Sequence, residues 1–186
     1  MIRNIAILMI ILMAAQAAMA QLTSPGDESK KLRALFDEDW QWRLEQFPEF
    51  ATLLGDNRYN ARLTDYSIEA IERRKAHTRE MLDRAQKIDR SRLTVQDVIS
   101  YDLFLRDRQL EVESQRFPTE FMPINQMQGV QVEIGQIIAA APFRNGRDYF
   151  NYLERLKAYP RLIAQMIALM QRGIETGWLP PAVPLR

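Results

Sequence analysis

Apolar residues recur every three to four positions along most of this chain, and nowhere do they alternate for long enough to build a sheet. Across residues 29–46, Leu32, Leu35, Phe36, Trp40 and Leu44 fall on one 3.6-residue stripe that also carries Asp39 and Arg43. Pro48 suits the first turn of a short second helix, and Gly55 is placed to end it. Ser67 is a natural N-cap for a helix reaching about residue 88, with Ile68, Ile71, Lys75, Thr78, Leu82 and Ala85 along its seam. Thr94-Val95-Gln96-Asp97 has the form of a capping box with Asp in place of Glu, opening a helix to about residue 113. Val98, Ile99, Tyr101, Leu103, Phe104 and Leu105 surround the first half of that helix, which is expected to be buried on several sides.

Pro118, Pro123 and Gly129 mark residues 116–129 as irregular. Over residues 130–140, Val130, Ile134, Ile137 and Ile138 fit a helix, whereas Val130, Val132 and Ile134 alternate like a strand; the helix is the expectation. After an Asn145-Gly146 turn come Tyr149, Phe150, Leu153 and Leu156. Pro160 then reads as the start of a last helix with Ile163, Met166, Ile167, Met170 and Ile174 as its buried stripe and Gly177 as its stop. The prediction is an all-α fold, an irregular array of about six to seven helices.

Residues 1–20 have the form of a secretory signal peptide. Arg3 supplies the positive start, residues 5–15 are uninterruptedly apolar, and Ala18-Met19-Ala20 is a small-x-small cleavage signature that would leave Gln21 first. The apolar run is far shorter than the roughly 20 residues a spanning helix needs. No cysteine follows it to carry a lipid, so the expected location is periplasmic or secreted with no stable membrane anchor. The absence of cysteine in the whole chain also excludes disulfides, thiolate metal sites and cysteine nucleophiles.

Removing Arg3 with the signal leaves 24 Lys and Arg against 24 Asp and Glu. A nucleic-acid-binding protein needs a basic excess or stripe to neutralise phosphates, and no nucleic-acid partner is expected here. The Arg73-Arg74-Lys75 run is flanked by Glu69, Glu72, Glu80 and Asp83 and reads as a solvated helix face. His77, the single histidine, stands in the same charged neighbourhood and reads as a surface side chain. A histidine zinc site needs three or four ligands, which this chain does not offer from histidine.

Asp37, Glu38 and Asp39 flank Trp40 and Trp42, the ingredients of a sugar site, but successive helical positions point in different directions. Trp40 is better placed as a core or interdomain anchor, and the methionines as packing residues. No catalytic, cofactor-binding or metal-ligating residue is assigned. Asp39, Arg43 and Lys75, charges inside apolar stripes, are the candidates for interdomain contacts.

Longer strings carry a resemblance. Phe47-Pro48-Glu49-Phe50-Ala51-Thr52-Leu53-Leu54-Gly55-Asp56-Asn57-Arg58-Tyr59-Asn60, Phe117-Pro118, Pro123-Ile124-Asn125-Gln126, Asp148-Tyr149-Phe150-Asn151-Tyr152-Leu153 and Arg172-Gly173-Ile174-Glu175-Thr176-Gly177-Trp178-Leu179-Pro180-Pro181 resemble the N-terminal region of the bacterial domain of unknown function 885 family. The likeness extends over residues 30–186. It implies a longer, exported, mostly helical protein related to zinc metallopeptidases, with a zinc-binding helix far downstream and a peptide substrate handled by that later part. On this expectation residues 21–186 are the helical N-terminal part of a larger domain, zinc belongs to the full-length protein, and this chain alone is inactive. The apolar, proline-rich run from Trp178 to Arg186 fits such a fragment, because apolar chain left in water is unfavourable. The alternative expectation is a complete exported helical binding module without catalysis; a periplasmic carbohydrate hydrolase comes third.

Overall fold

The computed structural model describes residues 26–180 apart from 126 and 128. The expected signal segment with its Ala20 and Gln21 cleavage point, Gln126, and the end of the apolar tail lie outside the described residues. Six helices follow in order: α1 (Asp27–Gln46), α2 (Pro48–Leu53), α3 (Ile68–Gln86), α4 (Val95–Ser114), α5 (Val130–Ala140) and α6 (Gly146–Thr176). Short 3-10 turns stand at Asn57–Tyr59, Arg90–Arg92 and Thr119–Phe121. There is no strand among the described residues, and residues 130–140 form the expected helix. No described helix is long and apolar enough to cross a membrane.

Two helix starts lie where the caps predict, and a third lies at Asn145, which the sequence marks only as a turn. Ser67 Oγ accepts from the Ala70 N–H at 3.2 Å, Thr94 Oγ1 from Asp97 N–H at 3.2 Å, and Asn145 Oδ1 from Asp148 N–H at 3.1 Å, each worth about 1 kcal/mol. Only half of the capping box forms at Thr94, whose own N–H turns to Ser29 Oγ at 3.4 Å. The Asp97 carboxylate, shorter than glutamate, instead accepts from Thr94 Oγ1 and from Arg33 on α1. The cap therefore fastens α4 to α1. Gly55 and Gly177, both expected helix stops, have φ of 84° and 75°.

α1, α3 and α4 pack on one another around Leu32, Leu35, Met81, Ala85, Ile88 and Tyr101, all buried. Phe36 and Phe104 close this core with ring centroids 4.9 Å apart. On α3 the core residue is Met81 rather than the expected Leu82, one position round the helix.

A second assembly joins α2 and the following loop to α6. Arg155 of α6 is 2% exposed and has no carboxylate partner among the described residues. Its Nε donates to Arg62 O at 2.9 Å, and its Nη2 to Thr52 Oγ1 at 2.9 Å and Tyr59 O at 3.2 Å. One guanidinium thus satisfies carbonyls that a tight loop turns inward, which is how backbone polar groups tolerate burial. Arg161 and Gln165, about two and three turns further on the same helix, hold the Asp65 carboxylate.

Three expectations are corrected. Pro160 does not begin a helix; it lies inside α6, which runs unbroken for 31 residues. A helix-interior proline costs about 3 kcal/mol, and burial of Tyr159 and Leu162 on either side of it offsets that cost. The buried face of α6 is also rotated. Leu162, Met166, Leu169 and Gly173 face inward, while Ile163, Ile167, Met170 and Ile174 of the expected stripe are exposed. Gly173 fixes that rotation, because a Cβ there would stand 2.9 Å from Trp178 O and 3.2 Å from Phe121 O. Finally, α4 is buried on one face only; Val95, Ile99, Leu103 and Leu110 are exposed.

The result is an uncovered apolar stripe on α6. Phe150, Leu153, Ile163, Ile167, Met170 and Ile174 are each more than two-fifths exposed and recur at three- and four-residue steps from residue 163 onward. At 1.5 Å per residue the run from Ile163 to Ile174 is about 17 Å long, and Phe150 and Leu153 are exposed apart from it, nearer the start of the helix. Scattered exposed apolar side chains are normal, but a continuous stripe is the mark of an interaction face.

Candidate functional site

The three-helix assembly leaves a cavity of about 270 Å³ between α1, α3, α4 and the Thr119–Phe121 turn. Residues three and four apart share a helix face. Asp39, Trp42 and Arg43 therefore enter it from α1, Ile71, Arg74, Lys75 and Thr78 from α3, and Arg108, Glu111 and Gln115 from α4.

Asp39 is the hub and is 7% exposed. Its Oδ1 accepts from His77 Nε2 at 3.0 Å, in the tautomer protonated there, and its Oδ2 from Arg108 Nη1 at 3.3 Å. Arg108 Nη2 continues to Glu111 Oε1 at 2.9 Å, which also accepts from Arg43 Nη2 at 3.1 Å. The His77 ring lies flat on Trp42, centroids 3.6 Å apart and planes 12° from parallel. One chain of polar contacts thus joins all three helices, and in a poorly solvated site each contact is stronger than it would be in water. Arg108 Nε, buried, finds no acceptor among the described residues.

On the other side of the cavity, Lys75 Nζ donates to Glu120 Oε1 at 2.6 Å and to Glu72 Oε1 at 3.1 Å. Burial alone would lower the Lys75 pKa, but the hydrogen bonds to Glu120 and Glu72 hold it above its ordinary value. Arg74 Nη1 donates to Asp65 O at 2.9 Å, and its guanidinium carbon stands 5.4 Å from the Phe47 ring centroid.

These contacts correct two expectations. The Arg73-Arg74-Lys75 run is not a solvated face, since only Arg73 is exposed. His77 is not a free surface side chain either; its side chain is 12% exposed and fixed on two sides. Both sit on the turn of α3 that faces the other helices, and their charged neighbours in the sequence lie on its outer side. By contrast, Asp39, Arg43 and Lys75, singled out as charges inside apolar stripes, do line one cavity together. Arg108 and Glu111 were missed, although Tyr101, Phe104, Leu105 and Arg108 form an i, i+3, i+4, i+7 series in which the arginine is the outlier.

The acids around Trp40 diverge. Glu38 turns to Arg84 and Asp39 to His77 and Arg108, so they do not flank a common bond as a two-acid site requires. Trp40 is 44% exposed, edge-on to Phe50, and is not a core residue.

A second cavity of about 250 Å³ holds Glu49, Tyr66 and Glu133 among Phe47, Phe50 and Ile137. Glu49 is fixed by the Thr64 N–H at 2.9 Å and Thr64 Oγ1 at 2.6 Å. Burial, then the charge of Glu49, raises the Glu133 pKa. Burial and the charges of Glu133 and Glu49 push Tyr66 up to about 12.

Among the described residues no three His, Cys, Asp or Glu side chains converge as a metal site requires, so the described residues by themselves do not fit the zinc implied by the resemblance. What the main cavity offers is aromatic walls with fixed charges, an arrangement that binds and orients.

No curated protein is similar enough to this sequence to count as a match. A family model described as "Bacterial protein of unknown function (DUF885)" matches residues 48–186, a span that takes in α2 through α6 and two of the three cavity-forming helices, and the chain belongs to that family.

Proposed function

We propose that this chain is the N-terminal helical region of an exported zinc-dependent peptidase, a non-catalytic wall of the substrate cleft that positions peptide and has no activity alone. The observation that carries this reading is the apolar stripe along α6, which a larger domain would cover. Residues 1–20 direct export to the periplasm or beyond and are removed after Ala20; zinc and the water-activating glutamate belong to chain beyond residue 186. The test is metal analysis and peptide hydrolysis with the full reading-frame product. Zinc-dependent, chelator-sensitive hydrolysis supports the reading, and the absence of both rejects it.

A second reading, an exported binding module without catalysis, draws support from the cavity built around Asp39, whose network is formed within this chain. Under it the purified protein is monodisperse and unfolds cooperatively. Aggregation through the α6 stripe speaks against it.

A further inference from the structure

The charges lining the cavity between α1, α3 and α4 do not balance. Its acids are Asp39, Glu111 and Glu120, and each is already engaged. Asp39 serves His77 and Arg108, Glu111 serves Arg108 and Arg43, and Glu120 serves Lys75. The fourth cation, Arg74, has no carboxylate of its own in the cavity. Asp65 attracts Arg74 through space but hydrogen-bonds to it only through its backbone carbonyl, because its carboxylate is held by Arg161 and Gln165.

Half-buried guanidinium without a matching anion is an unfavourable arrangement, and burial accordingly lowers the Arg74 pKa. The Arg74 guanidinium carbon lies over the Phe47 ring, 5.4 Å from its centroid, while Trp42, Ile71 and Phe117 give the same cavity apolar walls. At about 270 Å³ the space falls just below the usual range of ligand sites, about 300 to 1,000 Å³, and so suits only a small ligand.

We propose that this cavity binds a small carboxylate with an apolar or aromatic body, the carboxylate paired with Arg74 and the body against Phe47 and Trp42. An arginine fork presents parallel N–H donors that match two carboxylate oxygens, so the fit is directional as well as electrostatic. The inference stands apart from the peptidase reading, since binding here requires no catalysis. Two sources share this chemistry: a free acylated amino acid and the C-terminal residue of a peptide.

The test titrates the purified protein with N-acetyl-phenylalanine, with N-acetyl-phenylalaninamide, and with Ala-Ala-Phe and its C-terminal amide, following calorimetric heat and Trp fluorescence. The expected result is saturable binding of an acid form and at least about tenfold weaker binding of the matching amide, the ratio one charge-assisted pair supplies. Binding of Ala-Ala-Phe assigns the site to peptide termini; binding of N-acetyl-phenylalanine alone assigns it to free acids. Arg74→Gln should abolish the preference for acid over amide, and Arg74→Lys should keep part of it, with circular dichroism confirming that each variant is folded. Equal binding of acids and amides, or no binding of either acid up to about 10 mM, overturns the proposal on the unmodified protein alone. So does an Arg74→Gln variant that keeps the preference.

Discussion

Replacing Arg155 by methionine keeps a long side chain in place but removes the guanidinium that binds the loop after α2 to α6. The side chain is 2% exposed, and its two shortest hydrogen bonds, to Arg62 O and Thr52 Oγ1, are both 2.9 Å. Hydrogen bonds from a charged donor contribute about 1.5–3 kcal/mol each, and acceptors stranded in the interior cost more than acceptors in water. The weaker contacts to Tyr59 O and Pro48 O add to the loss. Against this, burial lowers the Arg155 pKa, so removing an unneutralised buried cation recovers part of the energy. The net expectation is a loss of about 2–4 kcal/mol, which for a chain of this size lowers Tm by roughly 5–15 °C. Urea and thermal denaturation followed at 222 nm measure it, with limited proteolysis of residues 56–63 reporting whether the loop is released. Arg155→Lys keeps the charge but not the fork and should lose about half as much. A loss below about 1 kcal/mol for Arg155→Met would refute the reasoning, because it would mean that these carbonyls find other partners without cost.

Two glycines provide opposite predictions. Gly173→Ala should destabilise by about 1–2 kcal/mol, since its Cβ would meet the backbone of Trp178 and Phe121, whereas Gly135→Ala, with nothing within 4 Å, should stabilise α5 by up to about 1 kcal/mol in the same denaturation assay. Glu133→Gln tests the second cavity. A carboxyl whose folded pKa is raised carries a penalty above that pKa and none below its unfolded value, so the variant should have a higher Tm than the wild type at pH 7 and the same Tm at pH 4 or lower. Asp39→Asn removes the charge and replaces one of the two oxygens that serve His77 and Arg108 with an NH2 donor, so one of those contacts is lost; a loss of about 2–4 kcal/mol is expected, with a change in Trp42 emission as the His77 stack loosens.

Local chemistry made the helices legible. Ser67 and Thr94 cap where a hydroxyl precedes an apolar run, and Gly55 and Gly177 stop helices in the left-handed region, whereas Asn145, read as a turn, also caps a helix. Pro160 misled because its local cost is overridden by packing on both sides, a tertiary effect that no window of sequence contains. The α6 stripe misled for a related reason. The helix is apolar over more than half its circumference, and which half turns inward depends on the close approach at Gly173. His77 and Arg74 were hidden by their neighbours in the chain, whereas their partners Asp39, Trp42 and Phe47 come from α1 and the residue just after it. Asp39, Arg43 and Lys75 were visible because a charge at an apolar position requires a partner, and the cavity supplies one for each.

The α6 stripe and the family membership together make the larger peptidase the central claim, and zinc content addresses it most directly. Elemental analysis of the full reading-frame product, with peptide hydrolysis measured before and after chelation, should find about one zinc per chain and activity that chelation removes and zinc restores. A product that carries no zinc and hydrolyses no peptide would contradict the account.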